Sequence, residues 1–167
     1  MNLCQQCKSC CYFNEKDAYY APIFTKEELK KIPKAKNKFT PYKNSKKVYQ
    51  LKLVKSKKHK KLVCPYLNEN THLCKIYKKR PLDCKIWPLL FMYSKNKDKI
   101  LLACWDKDAC PRTDKMNRKE YVKYLKEQQK EISKINIPAF LKKHPEYIWN
   151  YEKYTFKVKE LSRTTKA

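Results

Sequence analysis

The chain has 167 residues and a net charge of +25, because 41 lysines and arginines face 16 acidic residues. Only four of these cations are arginine, whose forked donors read base edges, so sequence-specific recognition of nucleic acid is disfavoured. The charge still suits RNA or an acidic protein as a partner. Glycine is absent, which excludes glycine-rich phosphate loops, dinucleotide-binding fingerprints and the nucleophile elbow. Any turn with a positive φ must then use Asn, Asp or Lys.

The nine cysteines are too sparse for a disulfide scaffold, and their number is odd. The sequence shows neither an export signal nor an apolar run long enough to span a membrane. We therefore expect a cytoplasmic chain without membrane association, in which clustered thiols bind metal or carry out redox chemistry.

The first predicted elements lie between the N-terminal cysteines and the middle of the chain. Thr25 and Glu28 form a capping box, which predicts a short helix that ends at Pro33. Residues 33–47 are basic and predict an exposed loop. The alternating stretch KKVYQLKLVK predicts a strand, and SKKHKK predicts the turn into a return strand at residues 61–64. One face of the first strand would carry Tyr49, Leu51 and Leu53.

The next segment, CPYLNENTHLCKIYKKRPLDC, carries Cys64, Cys74 and Cys84 at intervals of ten residues. This spacing fits neither a helix face nor a chelating turn, so we expect the three cysteines to lie in separate loops that converge in the fold. Residues 100–105, ILLACW, predict a short buried strand. Cys104 lies among these apolar residues, and we expect it to pack as a small hydrophobic side chain and not to bind metal.

The C-terminal part is predicted to be helical. One helix face carries residues at alternating spacings of four and three, between a start at Asp114 or Asn117 and an end at Pro138: Tyr121, Leu125, Gln128, Ile132 and Ile135. Pro145 predicts the start of a further helix, which carries Tyr147, Ile148, Tyr151 and Tyr154. These aromatic residues alternate with lysines, as in some proteins that bind single strands. At helical spacing, however, we favour core packing over base stacking.

Cys4, Cys7 and Cys10 have the spacing Cys-x2-Cys-x2-Cys, by which a chain wraps a [4Fe-4S] cluster. The fourth ligand of such a cluster is commonly a remote cysteine followed by proline, and both Cys64 and Cys110 precede a proline. This pattern favours one or two iron-sulfur clusters.

Zinc is the alternative, because four thiolates also complete a tetrahedral zinc site, in which His72 could replace one thiolate. Adjacent Cys10 and Cys11 would point to opposite sides of an extended chain, so they suit two sites, or one ligand and a thiol beside it, better than joint chelation. Radical chemistry on S-adenosylmethionine needs a third cysteine after Cys7 and Cys11, and that position is Asn14.

Four cysteine blocks together carry a family resemblance: CxxCxxCC at residues 4–11, CPYL at 64–67, CKIYxxRPxxC at 74–84 and ACxR at 109–112. They resemble the YkgJ-type cysteine-cluster family, whose members are described as zinc- or iron-chelating proteins and whose domain also occurs in flagellin lysine methylases. The resemblance covers residues 1–113. It implies eight metal-associated thiols: Cys4, Cys7, Cys10, Cys11, Cys64, Cys74, Cys84 and Cys110.

We assign two basic residues to binding of the cofactor, one in the third block and one directly after it. Arg80 could donate hydrogen bonds to cluster sulfurs or offset the charge of the thiolates. A structural alternative for Arg80 is a salt bridge with Asp83. Lys85 stands directly after Cys84, where the family usually has arginine.

The expected fold is α+β, with a cysteine-lined metal-binding domain of short strands and loops at residues 1–113 and a basic helical extension at residues 114–167 packed on it. The expected function is that of a thiolate-ligated iron-sulfur protein, an oxidoreductase or a carrier, that transfers electrons or delivers clusters or metal. One alternative is a zinc-stabilised basic module that binds RNA or an acidic protein. A weaker alternative is a component of a metal-dependent, methylation-type enzyme. No catalytic residue is assigned.

Overall fold

The structure, a computed structural model, describes residues 11–32, 38–106 and 116–163. Helices and strands are mixed along the chain, which confirms the α+β class. The chain divides into two compact units, Met1–Cys84 and Lys85–Ala167. The domain boundary expected near residue 113 stays a prediction. No helix in the described ranges has the length and apolar character needed to cross a membrane.

The first unit contains two small antiparallel sheets. Six strands build them: β1 (Tyr12–Phe13), β2 (Ile23–Thr25), β3 (Phe39–Pro41), β4 (Val48–Leu51), β5 (Val54–Lys55) and β6 (Leu62–Val63). The strand orders are β1-β6-β5 and β2-β4-β3. Helix α1 (Lys26–Lys30) follows β2, and helix α2 (Leu82–Ile86) contains the point at which the two units divide. Single 3-10 segments lie at Glu15–Tyr20, Tyr42–Asn44 and Tyr77–Lys79.

The capping box predicted at the start of α1 is confirmed. The Glu28 backbone N–H donates to the Thr25 hydroxyl at 3.2 Å, and the Thr25 N–H donates to the Glu28 carboxylate at 2.8 Å. Both bonds join residues three positions apart, so the local sequence is enough to specify them.

The strand predicted for KKVYQLKLVK is interrupted. β4 ends at Leu51 and β5 begins at Val54, because β4 pairs with β2 and β3 whereas β5 pairs with β6 in the other sheet. The expected face of Tyr49, Leu51 and Leu53 is therefore only partly correct. Tyr49 and Leu51 lie two apart in β4 and share a face, whereas Leu53 lies between β4 and β5. The predicted turn and return strand are confirmed as the hairpin of β5 and β6.

The loop predicted at residues 33–47 is only partly correct. Residues 33–37 lie outside the described ranges, and β3 and a 3-10 turn occupy most of the rest. β3 forms because it pairs with β4 and places Phe39 edge-on against buried Phe24, with ring centres 4.9 Å apart. Positive φ angles occur in the described residues at Lys43, Asn44, His72 and Lys97. Lys and Asn at these positions agree with the prediction from the missing glycine, and His72 was not foreseen.

The second unit contains a four-stranded sheet with the order β10-β8-β7-β9. Its strands are β7 (Leu89–Tyr93), β8 (Lys99–Trp105), β9 (Ile148–Trp149) and β10 (Thr155–Arg163). β7 and β10 run antiparallel to β8, and β9 runs parallel to β7. The buried strand predicted at residues 100–105 is confirmed as most of β8.

Two helices lie between β8 and β9 in the chain, α3 (Arg118–Ser133) and α4 (Ile137–Lys143). Asn117, one of the two predicted starts, is the N-cap of α3. Its side chain accepts the Glu120 N–H at 3.0 Å. The helix ends at Ser133 and not at Pro138. The reason is that Asn136 caps a new helix, and Pro138 fits its first turn, where no backbone donor is required.

The helix predicted from Pro145 is wrong. Residues Pro145–Tyr147 form one 3-10 turn, and the chain then continues into β9 and β10. Tyr147 is buried, whereas Tyr154 is 67% exposed, so the supposed helical face does not exist. The C-terminal extension is therefore helical only in its first part, because pairing with β7 and β8 overrides the local periodicity.

Candidate metal centre

Three cysteines from distant segments meet at one apolar cluster of the first unit. Cys11 and Cys74 pack against this cluster, and Cys64 is a member of it. Its buried members are Phe24, Ile32, Leu51, Val63, Cys64, Tyr66, Leu67 and Ile76. The five described cysteines are thiols, none in a disulfide with another described cysteine.

Strand pairing places Cys11 beside Cys64. Tyr12 of β1 pairs with Val63 of β6 in antiparallel register. The residue before β1 therefore meets the residue after β6, and the Cys64 N–H donates to the Cys11 carbonyl at 2.9 Å. The Cys11 thiol also hydrogen-bonds the Cys64 sulfur.

Cys64 opens a tight turn that directs backbone donors at its own sulfur. Pro65 restricts the backbone after Cys64, and the Leu67 N–H closes the turn on the Cys64 carbonyl at 2.9 Å. In this turn the backbone N–H groups of Tyr66 and Leu67 also hydrogen-bond the Cys64 sulfur. Backbone donors of this kind stabilise a thiolate, which is the form that binds metal.

The pKa of Cys64 is lowered although its side chain is only 9% exposed. The largest cause is the hydrogen bond from the Cys11 thiol, and the two backbone N–H groups and the charge of Lys38 act in the same direction. Burial opposes them, since it disfavours the charged sulfur. Lys38 is positioned by its contact with the Tyr66 ring, 4.6 Å from the ammonium to the ring centre.

Cys74 is brought to the same region by a short antiparallel contact. Leu67 and Cys74 form an isolated β-bridge, and the Lys75 N–H donates to the Tyr66 carbonyl at 2.8 Å. The chain that follows Cys64 thus turns back at Leu67 and Cys74, and Cys74 packs against the apolar cluster that contains Cys64. The convergence of the Cys64, Cys74 and Cys84 thiols on one site stays a prediction.

Cys84 is not in a loop, contrary to expectation, but in helix α2, where it is half-buried. The helix forms because Glu28 accepts the Leu82 N–H at 2.7 Å, and Asp83 accepts the Ile23 N–H at 3.1 Å. These two bonds hold the start of α2 to the segment of β2 and α1. Lys85, assigned to the cofactor, is also half-buried in α2.

The described residues alone do not complete a metal site. Within residues 11–32, 38–106 and 116–163, no three Cys, His, Asp or Glu side chains are grouped so that they could hold one ion. Cys4, Cys7, Cys10 and Cys110 lie outside these ranges. The assignment of all eight cysteines as ligands therefore stays a prediction.

Asp83 is a titratable group that the sequence reasoning did not single out as functional. Although the residue is half-buried, its carboxyl group is enclosed by protein, and burial raises its pKa to about 7. The Ile23 hydrogen bond lowers this pKa and the charge of Glu28 raises it further. The alternative of a salt bridge between Arg80 and Asp83 stays a prediction.

Arg80 is held against Tyr77. Its Nε–H donates to the Tyr77 carbonyl at 3.1 Å, and its guanidinium lies 4.0 Å from the centre of the Tyr77 ring. Both contacts fix the side chain next to the third cysteine block. A contact of Arg80 with a cluster sulfur stays a prediction.

Cys104, in the second unit, has the buried environment that the sequence predicted. It is fully buried in β8, and its sulfur lies 3.0 Å from the Tyr121 hydroxyl and 3.3 Å from the Trp105 carbonyl. Burial raises the pKa of Cys104 to about 11, the opposite direction from Cys64. The protonated thiol is favoured here, which is unsuited to metal ligation.

These observations define a cysteine-rich domain whose thiols suit a thiophilic metal. A family model described as "CxxCxxCC: Putative zinc- or iron-chelating domain" matches residues 3–117. The chain therefore belongs to the CxxCxxCC family, which confirms the resemblance seen in its cysteine blocks. Comparison with curated proteins finds no match, and neither does comparison with solved structures.

Proposed function

We propose that this chain binds an iron-sulfur cluster through its clustered cysteines and serves in electron transfer or in delivery of the cluster or its metal. The observation that carries the proposal is the environment of Cys64, a buried thiol whose pKa is lowered by Cys11 and by two backbone N–H groups. Donors to sulfur and low solvent exposure are the features by which proteins set the potential of cysteine-ligated iron. They support zinc binding as well, which is the rival that experiment must separate.

The same geometry suggests how the ligands are shared. The Cys11 thiol hydrogen-bonds the Cys64 sulfur, and Cys74 packs against the apolar cluster that contains Cys64, so we assign Cys11 and Cys64 to one site. A third sulfur reaches that site by movement of Cys74 on metal binding or from a cysteine outside the described ranges. Cys110, the other cysteine that precedes a proline, is then the proposed fourth ligand for the remaining three cysteines of the first block: Cys4, Cys7 and Cys10.

When bound, such a cluster would supply one-electron transfer. The chain's own residues favour the deprotonated form of Cys64 and bury its sulfur away from water. Arg80, stacked on Tyr77, is the proposed cation beside the thiolate-rich site, with Lys85. No observation in the described residues favours the methylation-type alternative.

The test is elemental analysis of protein purified without oxygen, with iron, zinc and acid-labile sulfide measured per chain. We expect iron and sulfide with a visible sulfur-to-iron absorption band that a mild reductant bleaches reversibly. A colourless protein with stoichiometric zinc and no sulfide would overturn the iron proposal in favour of a zinc-stabilised module. Cys64→Ala should lose metal, and Cys104→Ala, which also removes a buried thiol, is the matched control that should retain it.

A further inference from the structure

An exposed aromatic segment lies at the start of β10 in the second unit. Tyr151 is 45% exposed, Tyr154 is 67% exposed and Phe156 is 39% exposed. These are three of the seven large hydrophobic side chains that are exposed among the described residues, and they fall within six positions of the chain. The other four exposed hydrophobic side chains of the described residues lie singly along the chain, so this segment is where exposed rings are concentrated.

A β-bulge turns a lysine onto the same face as Phe156. In the ladder with β8, Phe156 pairs with Cys104, Lys157 pairs with Ala103, and Lys159 pairs with Leu102. Paired residues point to the same face, and residues two apart on β8 share a face, so Phe156 and Lys159 lie together while Lys157 lies on the other face. Without the extra residue in the bulge, Lys159 would point away from the aromatic side.

Tyr154 extends this face toward the start of the strand. Its carbonyl accepts the Asp106 N–H at 3.0 Å, so the ladder continues past Thr155 and Tyr154 lies two positions before Phe156 on the same side. The Lys153 ammonium is 5.7 Å from the centre of the Tyr154 ring. The Phe156 ring meets Tyr121 of α3, with centres 6.5 Å apart, which supports it from below. Tyr154, Phe156, Lys153 and Lys159 are called the aromatic strip.

The charge around the aromatic strip is positive. Lys153 and Lys159 are both exposed. Three acidic residues lie nearby: Glu160 is paired with Lys99 at 3.1 Å, Glu152 is half-buried with a pKa raised by burial, and Asp106, whose N–H bonds the Tyr154 carbonyl, is exposed. Lys153 and Lys159 therefore face one exposed carboxylate without a salt bridge among the described residues, that of Asp106. The strip therefore complements an anion, in keeping with the net charge of +25.

A protein strand is a poor fit to the same edge. β10 is an outer strand of its sheet, but two register shifts interrupt it and exposed lysines line it. Bulges and lysines are the devices by which edge strands avoid pairing with other strands. The features left for recognition are ring faces and ammonium groups, which match the bases and phosphates of an unpaired nucleic acid.

We propose that the aromatic strip binds single-stranded nucleic acid without sequence preference, with bases stacked on Tyr154 and Phe156 and phosphates held by Lys153 and Lys159. Binding at the aromatic strip does not depend on which metal the first unit binds. Sequence preference is not expected, because the strip contains no arginine to read base edges.

The first test measures, by fluorescence anisotropy, the affinity of the full, metal-loaded chain for a labelled oligouridylate. Oligodeoxythymidylate is the second probe, which distinguishes binding of RNA from binding of DNA. Tyr154→Ala should weaken binding about tenfold, the effect of losing one stacked base, whereas Tyr154→Phe should change it less than about twofold. Tyr19→Ala, which removes a ring of similar exposure in the first unit, is the control. Undetectable binding by the unaltered chain, or equal losses for Tyr154→Ala and Tyr19→Ala, would overturn the proposal.

The second test uses two neighbouring lysines on opposite faces of β10. Lys159→Gln should weaken binding more than Lys157→Gln and reduce the dependence of log K on log salt by about one. Both variants carry the same change in net charge, so an equal effect would mean diffuse attraction and would refute the strip as the site.

The third test separates stacking from simple anion binding. Duplex RNA and polyglutamate should compete far more weakly than unlabelled oligouridylate, because neither offers unstacked bases. Competition by polyglutamate as strong as that of the oligonucleotide would instead indicate an acidic protein as the partner.

Discussion

Replacing Asp83 by Asn should change how the stability of the protein depends on pH. Burial raises the pKa of this carboxyl from 3.8 to about 7 in the folded chain. Between these values the folded state keeps the proton that the unfolded state releases, so the stabilising contribution is fully present below about pH 4 and is lost as pH rises to about 7. Asn removes the charge while its carbonyl oxygen can still accept the Ile23 N–H.

The size of the effect follows from the shift. About three pH units, at about 1.4 kcal/mol per unit, give a difference in the free energy of unfolding on the order of 4 kcal/mol. We therefore expect Asp83→Asn to match the unaltered chain near pH 4 and to be more stable by up to that amount at pH 8. The deprotonated Asp83 of the unaltered chain would there be a buried charge beside Glu28.

The assay is urea unfolding of both proteins at a series of pH values, with the metal content matched. Taking the difference between the two proteins cancels the pH dependence of the thiol ligands, which both share. Asp17→Asn serves as a control, because the Asp17 carboxylate accepts a hydrogen bond from the exposed Asn14 side chain at 2.7 Å. A stability difference that stays flat from pH 4 to 8, or a variant that is less stable at pH 8, would refute the reasoning.

Three further predictions concern other parts of the chain. Cys104→Ala should cost about 1–2 kcal/mol in unfolding free energy, as a small core truncation, with unchanged metal content; loss of metal would make Cys104 a ligand. Cys11→Ala should raise the pKa of Cys64, so that alkylation of Cys64 in metal-free protein at neutral pH slows, as mass spectrometry can measure; an unchanged rate would contradict the hydrogen bond. Asn117→Ala should destabilise the protein by about 1 kcal/mol in thermal unfolding, whereas Asn117→Ser should have little effect.

Elements whose signals are local were predictable. The capping boxes at Thr25 and Asn117 connect residues three positions apart, so the sequence contains both partners of each bond. The strand at residues 100–105 was equally clear, because an apolar run of this length between polar segments suits a buried strand. Elements that depend on partners far along the chain were not predictable. The segment from Pro145 to Tyr154 looks helical by spacing, yet Ile148–Trp149 pairs with β7, and β10, which begins at Thr155, pairs with β8.

The cysteine site shows the same division. The sequence by itself determined the number and spacing of the cysteines and hence the supply of soft thiolate ligands. These features identified the family, because a motif such as CxxCxxCC is a property of the chain alone. Only the tertiary structure decided whether the pKa of each thiol is raised or lowered. Cys64 and Cys104 both lie next to apolar residues, but Cys64 meets Cys11 and two backbone donors, whereas Cys104 meets a packed strand and the Tyr121 hydroxyl. The pKa of a thiol depends on burial and on hydrogen bonds from segments distant in sequence, and those are set when the chain folds.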